Sequence, residues 1–414
     1  MHIFALRLAV VACLATATVT SADEACNGPS SWTGGSLNSG SSSDGSVVSG
    51  VSTGSSVKGS MSSDVGAVTG STGSDLSASG DHDTGSSGAC SGPNARTKPP
   101  MGATVVDATG AYNGSYLTMS EGVANIPNTT EEHMLFVFPG VYEEQVTVPK
   151  FNGPLVLQGY TCNTMQYSEN QVTITHKMAQ KDLPANVTNA RNQLVSTVVF
   201  KSKKGVKTYN LNIANPEGKL QQLGQAVAVY VDNTDYGFYA CNFTGYQDTL
   251  CANKGKELYA RTYISGAVDF IFGLQSKAWF ESCDLESVGN GCVTANGNSN
   301  SSNLSEYVFN NARVFSTNAS MNGTAYLGRP WYPYSRVVFQ NSRLGDVINP
   351  QGWQEWNKDN NTANVYFKEF NNSGPGADMD QRVSFSGQLE EFVAITDILG
   401  DDYESKWWID TKFL

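Results

Sequence analysis

Short apolar segments separated by Gly, Asn and Asp dominate the chain from about residue 98 onwards. Five of these segments share one internal pattern, in which an aromatic residue stands five positions before an apolar residue. They are GFYACNF (237–243), ELYARTYI (257–264), AWFESCDL (278–285), YVFNNARV (307–314) and VVFQNSRL (337–344). Runs this short, rich in aromatic and branched residues and bounded by turn formers, predict β-strands.

The spacing of the five aromatic residues predicts how these strands are arranged. They stand at positions 238, 259, 280, 309 and 339, so the first two steps are identical and the next two are somewhat longer. Periods of this length indicate a solenoid, and the absence of a helical pattern within each period argues against leucine-rich repeats. A sandwich or propeller of generic strands is the alternative, but the two identical steps favour an all-β parallel β-helix. Residues 116–133 are the one stretch with a helix-like apolar spacing.

The N-terminal part of the chain has a different composition. Residues 1–22 contain one Arg, a short apolar run and small residues at the end, which predicts a secretory signal peptide. Residues 23–97 are rich in Ser and Gly, so we expect a disordered linker that buries no core. The motif GVSTG (50–54) in this linker resembles a serine-nucleophile turn, but the composition predicts neither the strand before it nor the helix after it that such a turn needs. Residues 98–414 then form one domain.

Charge and cysteine content narrow the functional classes. The formal net charge of −12 argues against a nucleic-acid partner, and no segment beyond the signal peptide is apolar enough to cross a membrane. Removal of Cys13 with the signal peptide leaves seven of the eight cysteines. With no Cys/His cluster that predicts a metal site, we expect buried cysteines and one or two disulfides. Sequons such as those at Asn128 and Asn318 support a secreted glycoprotein.

Two acidic residues occupy equivalent positions in consecutive repeats. Asp269 lies in the apolar sequence GAVDFIFG (266–273), and Asp248 lies exactly one of the shorter repeat steps earlier, in GYQDTL (245–250). Equivalent positions on successive coils of a β-helix stack about 4.8 Å apart. We therefore expect the two acids to be neighbours on one sheet face. Because two close carboxylates do not both ionise easily, the pair suits a division into proton carrier and nucleophile or base.

Two glutamines accompany the acids. Gln247 directly precedes Asp248, and Gln225, in GQAVAVY (224–230), lies about one coil before Gln247. Side-chain amides are suitable donors to an oxyanion that forms on a carbonyl group.

These residues belong to a set of motifs that resembles the pectin methylesterase family. The motifs are GVYEE (140–144), GQAVA (224–228), GYQDTL (245–250), GAVDFIFG (266–273), YLGRPW (326–331) and GWQEW (352–356). The resemblance covers residues 100–414 and implies a right-handed parallel β-helix. It also implies hydrolysis of methyl esters in pectin, with release of methanol.

The resemblance further implies a role for each site residue. Asp269 would attack the ester carbonyl, Gln225 and Gln247 would hold the anionic intermediate, and Asp248 would act as general acid and then as general base. Arg329 would hydrogen-bond Asp269, and Trp331 and Phe272 would offer flat faces to sugar rings. The predicted site therefore consists of five catalytic residues and two substrate-binding residues: Gln225, Gln247, Asp248, Asp269 and Arg329, with Phe272 and Trp331. We expect no cofactor, no metal, pectin as the partner and a monomer.

Other functions are compatible with parts of the pattern. A serine esterase needs a histidine near its nucleophile, and none of His2, His82, His133 and His176 belongs to a recognisable triad. A β-helix glycosidase also uses paired carboxylates, but the glutamines and the arginine suit an acyl oxyanion better. A pectate lyase would need clustered acids for Ca²⁺. A non-catalytic wall-binding module would have no need of the full set of five catalytic residues.

Overall fold

The computed structural model describes residues 90–219, 223–357 and 362–414. The predicted signal peptide and residues 23–89 of the predicted linker lie outside the described residues. Residues 90–97, which the sequence assigns to the linker, contact the body of the domain. Cys90 forms a disulfide with Cys162, and the backbone of Arg96 pairs with that of Thr161. Residues 90–97 therefore belong with the domain and not with the predicted linker.

In the described ranges, twenty-six strands form three sheets, and the pairings between these strands are parallel. Sheet 1 has eleven strands, sheet 2 has seven and sheet 3 has eight. Sheet 1 comprises β1 (Thr104–Val106), β2 (His133–Val137), β5 (Leu155–Gly159), β8 (Val206–Tyr209), β11 (Tyr236–Tyr239), β14 (Lys254–Ala260), β17 (Gln275–Glu281), β20 (Glu306–Asn310), β23 (Arg336–Gln340), β25 (Tyr366–Phe370) and β26 (Ser386–Gln388). Sheet 2 comprises β4 (Val146–Val148), β7 (Val198–Phe200), β10 (Val229–Val231), β13 (Leu250–Ala252), β16 (Ile271–Gly273), β19 (Gly291–Asn296) and β22 (Ala325–Gly328). Sheet 3 comprises β3 (Gly140–Glu143), β6 (Val172–Thr175), β9 (Asn212–Ala214), β12 (Asn242–Thr244), β15 (Tyr263–Gly266), β18 (Asp284–Ser287), β21 (Arg313–Phe315) and β24 (Arg343–Leu344).

The order of strands along the chain defines a coil. The chain passes through one strand each of sheets 3, 2 and 1, as in β12, β13 and β14, before it returns to sheet 3 one level along. This is a parallel β-helix, which confirms the fold class predicted from the repeat of the aromatic residues. Those five residues stack in its interior, with ring centroids 5.0, 4.6, 4.3 and 4.3 Å apart. All five are fully buried.

The turn from sheet 1 to sheet 3 has the same backbone conformation in seven coils. One residue in each turn has a left-handed φ between 47° and 54°. Asparagine tolerates this conformation better than most residues because its short side chain can hydrogen-bond locally. Four of the seven are asparagines; the set is Asn210, Ala240, Arg261, Ser282, Asn311, Asn341 and Asn371.

Helices are few and short. Helix α1 spans Met119–Ala124, α2 spans Arg191–Val195 and α3 spans Ile395–Leu399. The 3₁₀ turns are Tyr167–Glu169, Gln180–Asp182, Pro216–Lys219, Ala319–Met321, Pro375–Ala377, Tyr403–Ser405 and Thr411–Phe413. None of the helices in the described ranges is both long and apolar enough to span a membrane.

The predicted helix at 116–133 is much too long. It begins at Met119, after Thr118 caps it by accepting a hydrogen bond from the Glu121 N–H, and it ends at Ala124. Pro127 follows closely, and the residue before a proline is disfavoured in the helical region. The remainder of the predicted segment leads into β2.

The cysteines agree with the prediction of buried thiols and one or two disulfides. Apart from the disulfide, the free cysteines of the described residues are Cys241, Cys251, Cys283 and Cys292, and all four are buried. Cys26 lies outside the described residues.

Glu257 is an acid enclosed completely by the core. It lies on β14 beside Tyr236, and its carboxylate accepts a hydrogen bond of 2.5 Å from the Tyr259 hydroxyl. Burial raises the pKa of Glu257 well above its ordinary value of 4.5, although the hydrogen bond from Tyr259 acts to lower it. The folded state therefore holds this proton at pH values at which the unfolded chain has lost it.

The raised pKa of Glu257 predicts that the free energy of unfolding depends on pH. Glu257 stabilises the fold fully below pH 4.5, and that contribution is lost as the pH rises towards the raised pKa. As the pH rises from 4.5 towards the raised pKa, the unfolding equilibrium constants of the native chain and of a Glu257→Gln variant should therefore diverge by roughly tenfold per pH unit. Denaturant unfolding of both proteins between pH 4 and 8 measures the difference. Two stability profiles that stay parallel would contradict a protonated Glu257.

Candidate functional site

Asp248 and Asp269 occupy equivalent turns in consecutive coils. Each lies between a strand of sheet 3 and a strand of sheet 2, just before β13 and β16 respectively. Gln247 pairs with Val268, and the Asp248 N–H donates to the Val268 carbonyl at 3.0 Å, so the register sets the two acids one coil apart. The predicted neighbourhood is therefore present. The acids lie, however, on the turns that precede β13 and β16, and not on a sheet face.

The backbone of both acids is left-handed, with φ of 64° at Asp248 and 50° at Asp269. Aspartate enters this region more readily than most residues. Both residues are buried, at 7% and 3% exposure. The two acidic residues thus have the same unusual backbone conformation and low solvent exposure, and they lie on neighbouring coils. That combination is typical of functional sites.

Arg329 forms a two-point ion pair with Asp269. Its Nε donates to Oδ1 at 2.8 Å and its Nη2 donates to Oδ2 at 2.6 Å, and both side chains are more than 90% buried. Arg329 follows β22 directly, and its own N–H donates to the Thr294 carbonyl of the neighbouring coil at 3.0 Å. The predicted contact between Arg329 and Asp269 is thereby confirmed. A planar guanidinium holds a carboxylate in one orientation, which an ammonium does not.

The ion pair favours the charged form of Arg329. Burial by itself acts to lower the pKa of Arg329, but the charge of Asp269 and the hydrogen bonds that Arg329 donates to its carboxylate outweigh burial and raise that pKa. The guanidinium is therefore charged across the whole range in which proteins function. A buried charge of this kind persists where a partner of opposite sign and hydrogen bonds compensate its desolvation.

Trp356 covers the guanidinium of Arg329. The Arg329 Cζ lies 4.1 Å from the centroid of the Trp356 ring, which gives a cation–π contact in addition to the ion pair. No pattern in the sequence predicts a role for Trp356. Its motif, GWQEW, contains two tryptophans, and the other, Trp353, is a core residue stacked on Phe367 at 4.3 Å. Nothing in the local pattern distinguishes the tryptophan of the core from the tryptophan of the site.

Gln225 and Gln247 lie in the same column of turns as the acids. The Ala226 N–H donates to the Gln247 carbonyl at 3.1 Å, so Gln225, Gln247 and Val268 hold equivalent positions in three coils. Gln247 is buried, whereas Gln225 is half-buried. Gln247 therefore lies on the turn of Asp248, and Gln225 lies on the equivalent turn one coil earlier.

The outer surface of sheet 2 beside these turns is apolar. Tyr230, Cys251 and Phe272 are in register on β10, β13 and β16. They belong to an outer cluster, defined by the buried residues Val195, Val199, Val227, Tyr230, Cys251, Phe272, Leu274 and Ala295 and by the half-buried Met178, Leu183, Trp331, Tyr332 and Trp356.

Trp331 and Phe272 differ in their accessibility within this cluster. Trp331 is half-buried and stacks with Tyr332 and Trp356, with centroids 5.5 and 6.3 Å away. Phe272 lies 6.3 Å from Trp331 in a tilted arrangement and is 2% exposed. Trp331 therefore has the freer ring. The prediction that Phe272 offers a face to a sugar stays a prediction.

Cys292 is a second residue near the ion pair that the sequence reasoning missed. It lies on β19 and its thiol is 3.5 Å from Oε1 of Gln354. Burial raises the pKa of Cys292, while the charge of Arg329 acts to lower it and that of Asp269 to raise it. The thiol is thus neutral and adds no charge beside Asp269. No spacing in the sequence relates Cys292 to Asp269.

A groove of about 570 Å³ adjoins the turns that carry the acids. Its lining is uncharged and combines hydroxyl, amide and aromatic groups with apolar surface: Asn215, Pro216, Thr244, Gly245, Tyr246, Ser265 and Val288. Tyr246 belongs to the same turn as Gln247 and Asp248. Lining of this composition suits a neutral polar ligand.

Comparisons with known proteins agree with the geometry. Residues 104–397 match the model of the family described as Pectinesterase. The chain is 42% identical over 326 residues to a pectinesterase of Aspergillus niger, which covers 77% of this chain and 94% of that relative. It is 41% identical, with the same coverage, to a pectinesterase of Aspergillus aculeatus.

Solved structures give the same result. The crystal structure of a deglycosylated pectin methylesterase from Aspergillus niger superposes with a TM-score of 0.69 at 35% identity, and covers 77% of this chain and 100% of that one. The pectin methylesterase from carrot superposes with a TM-score of 0.65 at 26% identity, over 74% and 97% of the two chains. The chain therefore belongs to the pectinesterase family, whose members are carboxylic ester hydrolases.

Proposed function

We propose that this protein hydrolyses the methyl esters of pectin, with Asp269 as nucleophile and Asp248 as general acid and base. The names of its relatives support the substrate, since the curated Aspergillus proteins are pectinesterases. A related pectin methylesterase has been solved in complex with a hexasaccharide, although that chain shares the fold at only 24% identity. The observation that carries the mechanism is the buried two-point ion pair between Arg329 and Asp269.

The first step forms an acyl-enzyme. An Asp269 carboxylate oxygen attacks the ester carbonyl carbon, and the carbonyl oxygen becomes an oxyanion that accepts hydrogen bonds from the amides of Gln225 and Gln247. The intermediate then collapses, and the bond to the methoxy oxygen breaks. That oxygen takes the proton of Asp248 and leaves as methanol. The galacturonyl group remains joined to Asp269 as a mixed anhydride.

The second step releases the acid. The ionised Asp248 takes a proton from water, and the resulting hydroxide attacks the galacturonyl carbonyl carbon. A second oxyanion forms against the same two amides. Its collapse breaks the bond to Asp269, restores that carboxylate and leaves Asp248 protonated for the next cycle. The sum is one ester and one water converted to one carboxylic acid and one methanol.

The surroundings of the two acids are consistent with the roles proposed for them. Asp269 is held by the guanidinium of Arg329, which orients the proposed nucleophile. Asp248 lies one coil away from Asp269 and is largely shielded from solvent. The proposal assigns Asp248 the protonated form at the start of the cycle, which is the form needed to protonate the departing methoxy oxygen.

The setting of the enzyme is part of the proposal. Secretion and a role in modification or degradation of plant cell walls suit the predicted signal peptide and the pectin substrate. Glycosylation suits the sequons at exposed positions, such as Asn113, Asn128, Asn186 and Asn318. The sequon at Asn242 lies half-buried in β12 and is a poor acceptor. The proposed enzyme is a monomer and needs no cofactor.

A serine esterase is less consistent with the described residues. The His133 ring pairs with the Thr129 hydroxyl at 2.9 Å, and His176 is a half-buried residue whose pKa burial lowers. Neither histidine belongs to the turns that carry the acids. The catalytic base of the proposal is therefore a carboxylate.

Replacement of the nucleophile tests the mechanism. Asp269→Asn keeps the shape of the side chain but removes its charge, so methanol release from highly methyl-esterified pectin should fall to background while circular dichroism shows an intact fold. The matched control is Asp284→Asn, because Asp284 forms a similar two-point ion pair with Arg313 on sheet 3. The control should retain native activity. An Asp269→Asn variant with unaltered turnover would refute the mechanism.

Replacement of Trp331 tests substrate binding. Loss of a stacking surface for a sugar ring should cost about 1 kcal/mol of binding, so Trp331→Ala should raise KM for pectin by roughly fivefold, with a smaller effect on kcat. Trp407→Ala provides a control, because Trp407 packs against Lys207 beside sheet 1. Initial rates over a range of pectin concentrations give both constants. An unchanged KM would exclude Trp331 from the binding surface.

A further inference from the structure

The backbone at Gln225 is held by a segment that has no part in the proposed chemistry. The Gln180 N–H donates to the Gln225 carbonyl at 2.8 Å. Gln180 begins a 3₁₀ turn, whose end is fixed because the Asp182 carboxylate accepts the Ala179 N–H at 2.8 Å. Residues 178–195, called here the bracket segment, therefore reach the proposed oxyanion donor from outside the solenoid.

The side chain of Gln180 is held at several points. The Arg191 Nε donates to Gln180 Oε1 at 3.1 Å, and the Arg191 Nη2 donates to the Gln180 carbonyl at 2.7 Å. The Gln180 amide donates in turn to Asn192 Oδ1 at 2.5 Å. Gln180 is 8% exposed and Asn192 1% exposed, so these bonds are shielded from competing water.

Asn215 joins the bracket segment to the backbone that follows Gln225. It is fully buried, and its amide nitrogen lies within 3.0 Å of three carbonyls, those of Met178, Val195 and Val227. Met178 and Val195 are the two ends of the bracket segment, and Val227 follows Gln225 closely. One side chain thus joins both ends of the segment to the backbone beside the proposed donor.

We propose that Gln180 and Arg191 are positioning residues for Gln225. Arg191 fixes the Gln180 turn, and the Gln180 N–H fixes the Gln225 carbonyl, which sets the backbone from which the Gln225 amide donates. This inference rests on the proposed function, because it assigns a role to the surroundings of one of its catalytic residues. It adds two residues, both distant from Gln225 in sequence, to those on which turnover depends.

The chemical reason lies in the geometry of the oxyanion. Donors to a developing oxyanion stabilise it only when they are already in place, and loss of one donor lowers kcat by about 100-fold or more. A donor displaced by about 1 Å also costs a large part of that factor. Binding of the ester in its ground state depends much less on this donor. The expected signature is therefore a lower kcat at an almost constant KM.

A double-mutant cycle of Arg191 and Gln225 tests the proposal. The proteins are the native full chain, Arg191→Met, Gln225→Ala and the double variant, with methanol release from methyl-esterified pectin as the assay. Arg191→Met should lower kcat about tenfold with KM unchanged, and Arg191→Lys, which keeps one donor group, should recover part of it. In the Gln225→Ala background, Arg191→Met should have no further effect on kcat. Gln180→Leu serves as a second variant if Arg191→Met does not fold.

The matched control is Arg313→Met. Arg313 also makes two hydrogen bonds through its guanidinium, but to Asp284 on sheet 3, and its removal should leave kcat unchanged. Equal losses of kcat from Arg191→Met in the native and Gln225→Ala backgrounds would overturn the positioning role, as would no loss in either. If Gln225→Ala itself leaves kcat unchanged, the role of Gln225 in the proposed mechanism fails instead. The two failures are therefore distinguishable.

Discussion

The buried ion pair between Arg329 and Asp269 is the constraint around which the site is arranged. Two charges withdrawn from water are costly, and the cost is offset only when geometry and hydrogen bonds are nearly ideal. Both conditions are met, since two short bonds join the groups and Trp356 covers the guanidinium. The neutral Cys292 thiol and the apolar outer cluster add no competing charge. The charge of Asp269, which lies in an apolar sequence, is thereby compensated, and its carboxylate is oriented.

The solenoid supplies the positions that this pair requires. Two consecutive coils of equal length repeat the turn before sheet 2 without a change of register, so Asp248 and Asp269 follow each other with the same left-handed backbone. The interior aromatic rings stack at about the spacing of the coils. Arg329 is far from Asp269 in sequence but reaches it because β22 belongs to the same sheet as β16, two strands away. Repetition of the backbone thus creates a site from residues that are distant in sequence.

Much of this could be predicted from the sequence, for physical reasons. The aromatic period sets the coil, the coil sets the neighbourhood of the two acids, and a buried acid demands a partner. The apolar spacing predicts a helix that is longer than α1, because it carries no information about where Pro127 and the next strand end the helix. Trp356 and the bracket segment escaped prediction for another reason. They reach the site through irregular loops, whose lengths follow no period, so neither the contact of Trp356 with Arg329 nor that of Gln180 with Gln225 leaves a signal in spacing.

The central claim is that Arg329 aims Asp269 as well as neutralising it, and the Arg329→Lys variant tests this most directly. Lysine keeps the positive charge but cannot reproduce the two-point geometry. If orientation of the nucleophile matters, kcat for methanol release should fall by about 100-fold while the variant remains folded. A folded Arg329→Lys enzyme with nearly native kcat would show that charge alone suffices, and would contradict the account.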